Sequence, residues 1–166
     1  MSEGLSWIGI FRLGLVQTAL GSVVILTTST LNRVMVVELA LPAMIPGFLV
    51  SLHYAVQMSR PRLGYGSDIG GRRTPWIIGG ILTLGIGATG ASAATMLMAI
   101  HPTWGFILSL IAFLLIGIGV GAAGTSLLVL LAKLVDGRRK PAAATIVWIM
   151  MIVGFVITTT VVGHYL

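Results

Sequence analysis

The residues of this chain with the most chemical reach are three histidines, His53, His101 and His164, and four acids, Glu3, Glu38, Asp68 and Asp136. The histidines lie too far apart in sequence to form a local metal-ligand pair. Four dispersed acids are too few for an all-protein calcium cage or the usual dicarboxylate catalytic site. The absence of cysteine excludes disulfides, thiolate zinc sites and iron–sulfur clusters. Gly90-Ala91-Ser92-Ala93-Ala94 approaches a nucleophile elbow but lacks the final glycine and lies deep in an apolar run. The expectation is a protein that is not an enzyme and holds no metal site of its own. His53, beside Tyr54 and Gln57, stands out because it falls inside an apolar run, where ionisable residues are costly and often functional.

Two glycine patterns fit the dinucleotide fingerprint G-x-G-x-x-G, at Gly85–Gly90 and Gly119–Gly124. That fingerprint works where a strand turns into a helix whose free N–H groups face a pyrophosphate. Both matches sit well inside apolar runs, where a helix has no free N–H groups. They read instead as close helix packing: Gly117 and Gly121 form a G-x-x-x-G continued by Thr125, and Gly85, Thr89 and Ala93 form a second small face. Gln17, Gly21, Thr28 and Asn32 recur at intervals of 4, 7 and 4, which places them on one helical face. That face reads either as the lining of a cavity or as an interhelical contact.

These residues must be positioned by membrane helices. Only 8% of the residues are charged, 57% are apolar and the mean hydropathy is +1.06, whereas a soluble domain carries roughly 25% charge. So few ions cannot solvate a surface in water, and lipid is the expected solvent. A spanning helix needs about 20 apolar residues. The charge-free runs Leu13–Asn32, Leu39–Ser59, Thr74–Ala132 and Pro141–Leu166 supply the spans, and the third, too long for one helix, divides at His101-Pro102-Thr103. The fold class is therefore all-α, a polytopic transmembrane bundle in a single domain over 1–166, with about five spans near 13–32, 39–59, 75–100, 104–132 and 142–166. The segment 104–132 exceeds a bilayer's thickness and is expected to tilt or to extend into the cytoplasmic interface. Trp7, Trp76, Trp104 and Trp148 read as interfacial anchors near span ends, and Arg33 with Glu38 as a pair fixing the turn after the first span.

Nine of the ten basic residues fall on one side if spans alternate, with Arg33 the exception. The positive-inside rule then makes the amino terminus and the basic loops cytoplasmic. The net charge of +6 is thus a topology signal with some attraction to anionic lipid, and no nucleic-acid partner is expected. Met1–Arg12 lacks a basic leader and a small-residue cleavage pattern, so it reads as a short interfacial segment before an uncleaved first helix.

The loop after the second span reads Gly64-Tyr65-Gly66-Ser67-Asp68-Ile69-Gly70-Gly71-Arg72-Arg73-Thr74. Glycines allow a tight turn there. Asp68 can cap the third span, and Arg72 and Arg73 can pair with it. The stretch resembles the signature of the major facilitator superfamily, G-x-x-x-D-[RK]-x-G-[RK]-[RK]: Gly64, Asp68, Gly71, Arg72 and Arg73 match, and Ile69 departs.

From about Leu13 to Gly80 the likeness narrows. Thr30–Leu39, Leu41–Gly47, Leu52–Gln57, Ser59–Arg62 and Gly70–Gly80 resemble the PucC/LhaA branch of that superfamily, found in phototrophic bacteria. The resemblance implies a partial facilitator fold and a role as an accessory or assembly subunit of a light-harvesting or reaction-centre complex. Its partners would be membrane lipid and antenna or reaction-centre polypeptides, in the intracytoplasmic photosynthetic membrane. It also implies handling of bacteriochlorophyll, for which His53 is the candidate axial ligand, with a bond to a neighbouring helix or interfacial water as the alternative. His101 and His164 are weaker candidates. Facilitators usually have twelve helices, and five cannot rock two halves about a midplane site. The chain then reads as a relative that has lost transport, as a structural subunit packed on an antenna ring, or as the amino-terminal part of a small-molecule transporter.

Overall fold

A computed structural model describes residues 4–165. Glu3 and Leu166, the end of the last expected span, lie outside the described residues. Helices and short turns account for the architecture, with no strand among the described residues. Four helices are long and apolar enough to cross a membrane.

The first of these, α1, runs Trp7–Glu38, longer at both ends than the expected 13–32. Ser6 caps it by accepting a hydrogen bond from the Gly9 N–H at 3.2 Å, and no proline follows before Pro42 to stop it. Two π-helical turns, Leu26–Thr30 and Val34–Glu38, widen its second half. The Thr27 and Thr28 hydroxyls donate to the Val23 and Val24 carbonyls at 3.0 and 2.8 Å, as such side chains do within lipid-facing helices. Arg33 and Glu38 approach to 3.6 Å along this helix rather than across a bend. The chain turns at Ala40, whose φ of 49° is the left-handed conformation that ends many helices.

The second pass differs most from expectation. Helix α2, Met44–Gln57, has 14 residues, about 21 Å against a hydrocarbon core of about 30 Å. After a turn at Met58 and Ser59, α3, Arg60–Ile69, continues through what reads in sequence as a loop. The break follows from Pro61, which has no N–H to offer the Gln57 carbonyl. Helix α4, Thr74–Met98, and helix α5, Pro102–Leu134, form a hairpin with His101 at the N-cap of α5, where the His-Pro signal places it. A short 3₁₀ turn, Gly137–Arg139, leads into α6, Lys140–Tyr165.

Contacts order these helices into a bundle with a basic end. The Leu5 N–H donates to the Leu134 carbonyl at 2.8 Å, and Lys133 reaches Asp68 at 3.2 Å. The start of α1 and the ends of α3 and α5 therefore share one end, and Trp7 carries the Arg139 guanidinium 4.3 Å above its ring there.

Close approach of backbones holds the bundle, as lipid supplies no hydrophobic drive between helices. A Cβ at Gly119 would lie 2.5 Å from the Leu84 nitrogen, and one at Gly87 2.8 Å from the Ile116 nitrogen, so α4 and α5 touch at Gly80, Leu84, Gly87 and Ala91. The expected face of Gly85, Thr89 and Ala93 is instead exposed, and Gly85 has no neighbour within 4 Å. Small residues on both faces of α4 made either choice equal in sequence; the larger Leu84 and Met98 in the packed stripe fill the interface. Gly117 and Gly121 pack α5 on the second pass, where an added Cβ would lie 2.8 Å from the His53 carbonyl oxygen and 3.0 Å from the Leu63 side chain respectively.

Candidate functional site

A cavity of about 320 Å³ opens between α1, α2, α3, α5 and α6. Gln17, Leu20, Gly21 and Val24 contribute from α1; Val120, Gly124 and Leu128 from α5; and Trp148, Met151 and Phe155 from α6. Tyr54 and Gln57 of α2 and Arg60 of α3 complete the wall. The cleft is bounded by α6, which packs chiefly on α1: Gly14, Gly21 and Gly154 sit against Met150, Phe155 and Thr18, and the Thr18 hydroxyl donates to the Met150 carbonyl at 3.0 Å.

Of the face expected on α1, Gln17 and Gly21 line the cleft, whereas Thr28 and Asn32 do not. Gln17 is 8% exposed. Its Nε2 approaches the Met151 sulfur at 3.2 Å and its Oε1 has no partner among the described residues. A buried carbonyl oxygen left so costs about 1–3 kcal/mol. Thr28 bonds its own helix, and the π turn at Leu26–Thr30, which contains it, departs from the 3.6-residue register on which the expected face rests.

His53 is fully buried between α2 and α5 and does not line the cleft. Its Nε2 lies 2.7 Å from Gln57 Nε2. Arg60 donates to Gln57 Oε1, which leaves the Gln57 NH₂ to donate and makes His53 Nε2 the acceptor. The three side chains form a ladder from the core to the cleft wall. A macrocycle ligated at Nε2 would have to displace the Gln57 amide.

The signature residues assemble at the basic end. Asp68 pairs with Arg73, a buried side chain, and with Lys133. It does not cap α4, whose N-cap residue is Arg73 with no side-chain cap bond, since α3 carries Asp68 as far as its own last turn. Gly71 has a φ of 63°, which suits glycine, and a Cβ at Gly64 would meet Thr125 at 3.2 Å. Arg72 is exposed. Most of the cleft lining escaped the sequence reading, Trp148 and Arg60 with the most chemical consequence. Trp148 passed for an interfacial anchor but stands eight residues inside α6, and Arg60 passed for a loop cation until α3 proved to be helical.

A family model described as PUCC protein matches residues 30–166. The chain belongs to the PUCC protein family. Among curated relatives, it is 55% identical over 162 residues to the "Bacteriochlorophyll synthase 44.5 kDa chain" of Rhodobacter capsulatus, which covers 98% of this chain and 38% of that protein. It is 32% identical to "Protein PucC" of Rhodovulum sulfidophilum, over 99% of this chain and 39% of the relative. The "Protein PucC" of Cereibacter sphaeroides is 31% identical over 95% of the chain and 37% of the relative. The chain thus spans less than two-fifths of the length of these relatives. No solved structure matches.

Proposed function

We propose that this PUCC protein is a non-enzymatic accessory or assembly subunit of a bacterial light-harvesting or reaction-centre complex, and that it handles bacteriochlorophyll in the cleft. The observation that carries the reading is the cleft itself. Its walls are apolar and aromatic, with Trp148 and Phe155 facing Leu20 and Leu128 and a few polar groups between, the usual make-up of a pocket for an apolar ligand. The name of the 55% identical relative supports bacteriochlorophyll as the pigment. A cavity of about 320 Å³ suits part of a pigment, with the rest lying in lipid or against a partner. The proposed setting is the intracytoplasmic membrane, with the basic end cytoplasmic. His53 enters by holding Gln57 at the cleft wall, and it serves as an axial ligand only if the Gln57 amide moves away.

The test is to isolate the native protein from a phototrophic host in mild detergent and record its absorption beside the masses of co-migrating polypeptides. Near-infrared bacteriochlorophyll bands together with antenna or reaction-centre polypeptides are expected. A colourless preparation without those partners would overturn the proposal and favour the transporter reading.

A further inference from the structure

Arg60 is a cation in an unusual place. Along α3 it lies eight residues from Asp68, about 12 Å deeper into the bundle at 1.5 Å per residue. Two neighbouring helices flank it. The position of a Gly121 Cβ is 3.7 Å from the Arg60 Cγ, and Gly121 precedes Leu134 by thirteen residues. Gln17 follows Leu5 by twelve, and Leu5 is bonded to Leu134. Arg60 and Gln17 therefore line the same cleft, Arg60 about 12 Å along α3 from Asp68 and Gln17 about 18 Å along α1 from Leu5.

A long cationic side chain near a membrane surface ordinarily extends toward that surface. Arg60 does the reverse: it donates to Gln57, three residues earlier and deeper. The ion pairs among the described residues are Arg33–Glu38, Arg73–Asp68 and Lys133–Asp68, and none neutralises it. Opposite it, the Gln17 NH₂ has only a thioether sulfur as partner, a weak acceptor that a better one can replace. A guanidinium with no acidic partner among the described residues, itself exposed, and an under-used amide thus line one largely apolar cleft. An ionisable side chain on a cleft between membrane helices is a candidate for ligand binding.

We infer that the cleft takes an apolar ligand bearing a carboxylate, bound by Arg60 from one wall and by the Gln17 amide from the other. Charge-assisted bonds of this kind are the strong ones. The inference rests on the pigment reading above and specifies the form handled: a bacteriochlorin with a free carboxylic side chain rather than its ester.

The experiment titrates the detergent-solubilised protein with an unesterified bacteriochlorin acid and with the methyl ester of the same compound, read by absorption. The acid is expected to bind at least about tenfold more tightly, in line with the loss of one charge-assisted hydrogen bond. Arg60→Gln should erase the difference and Arg60→Lys should keep part of it, while Gln17→Leu weakens the acid alone. Equal binding of acid and ester would overturn this inference and leave the pigment reading standing. If neither bacteriochlorin binds, palmitate against methyl palmitate serves as the second probe. An Arg60-dependent preference for palmitate would retain the carboxylate site and sink the pigment reading. Displacement of the acid by phosphatidylglycerol as readily as by palmitate would overturn the carboxylate assignment in favour of a lipid phosphate.

Discussion

Gly119→Leu is expected to leave almost no folded protein. A Cβ at this position would stand 2.5 Å from the Leu84 nitrogen and 2.7 Å from the Gly80 carbonyl oxygen. Both neighbours are backbone, so no rotamer change relieves the clash, and the three further leucine carbons only add to it. Overpacking a core commonly costs about 1–3 kcal/mol. Here α4 and α5 must separate along a face that includes Gly80, Gly87 and Ala91, a loss on the scale of a typical domain's whole stability of about 5–15 kcal/mol. Gly85→Leu is the control: nothing lies within 4 Å of that position, and it should behave as the parent does. Size-exclusion profiles and denaturation in detergent check both. A monodisperse Gly119→Leu with unchanged denaturation would show that α4 packs through its other small face.

Asp68→Ala carries the second large effect. Asp68 joins three helices, through Arg73 at the start of α4 and Lys133 near the end of α5. The Arg73 side chain is only 6% exposed, while that of Asp68 is 50% exposed. Removing one partner of a buried pair costs about 3–5 kcal/mol because the other charge stays behind unpaired. The half-exposed aspartate lowers the expected loss to about 2–3 kcal/mol after allowance for solvent screening. Asp68→Ala combined with Arg73→Met should recover most of it, since the stranded charge is gone. Lys133→Ala, exposed at 62%, should cost less than about 1 kcal/mol. Denaturation midpoints of the four proteins decide. If the double variant is as unstable as Asp68→Ala, the cost comes from lost packing and not from the buried guanidinium.

The large-scale features were legible in sequence because they depend on sums. Apolar run length yields the long helices, and a single His-Pro pair in the longest run marks the hairpin where α5 begins. What failed depended on local exceptions to helical regularity. The π turns of α1 cannot be read from periodicity, so Thr28 and Asn32 fell off the face that Gln17 and Gly21 keep. Glycines, charges and a proline in 60–73 resemble a loop in every respect of composition, yet Arg60–Ile69 is helical because α5 offers Gly121 and Thr125 for it to pack on. That misreading hid Arg60. The stripe Gly14, Thr18 and Gly21 could have been found by the same spacing argument that found Gly117 and Gly121, and it is what seats α6 beside the cleft.

The cleft as the resting place of a pigment is the centre of this account, and Gly124 tests it most directly. This residue lines the cleft, and a Cβ there has no neighbour within 4 Å, so a large side chain enters the cavity without disturbing a helix contact. The measurement is a near-infrared titration of bacteriochlorophyll into the solubilised parent and into Gly124→Trp. The parent should give a saturable, shifted band, and Gly124→Trp should bind at least about tenfold more weakly with an unchanged denaturation midpoint, as expected when a pocket of this size is filled. Equal binding by both proteins would place the pigment elsewhere and contradict the account.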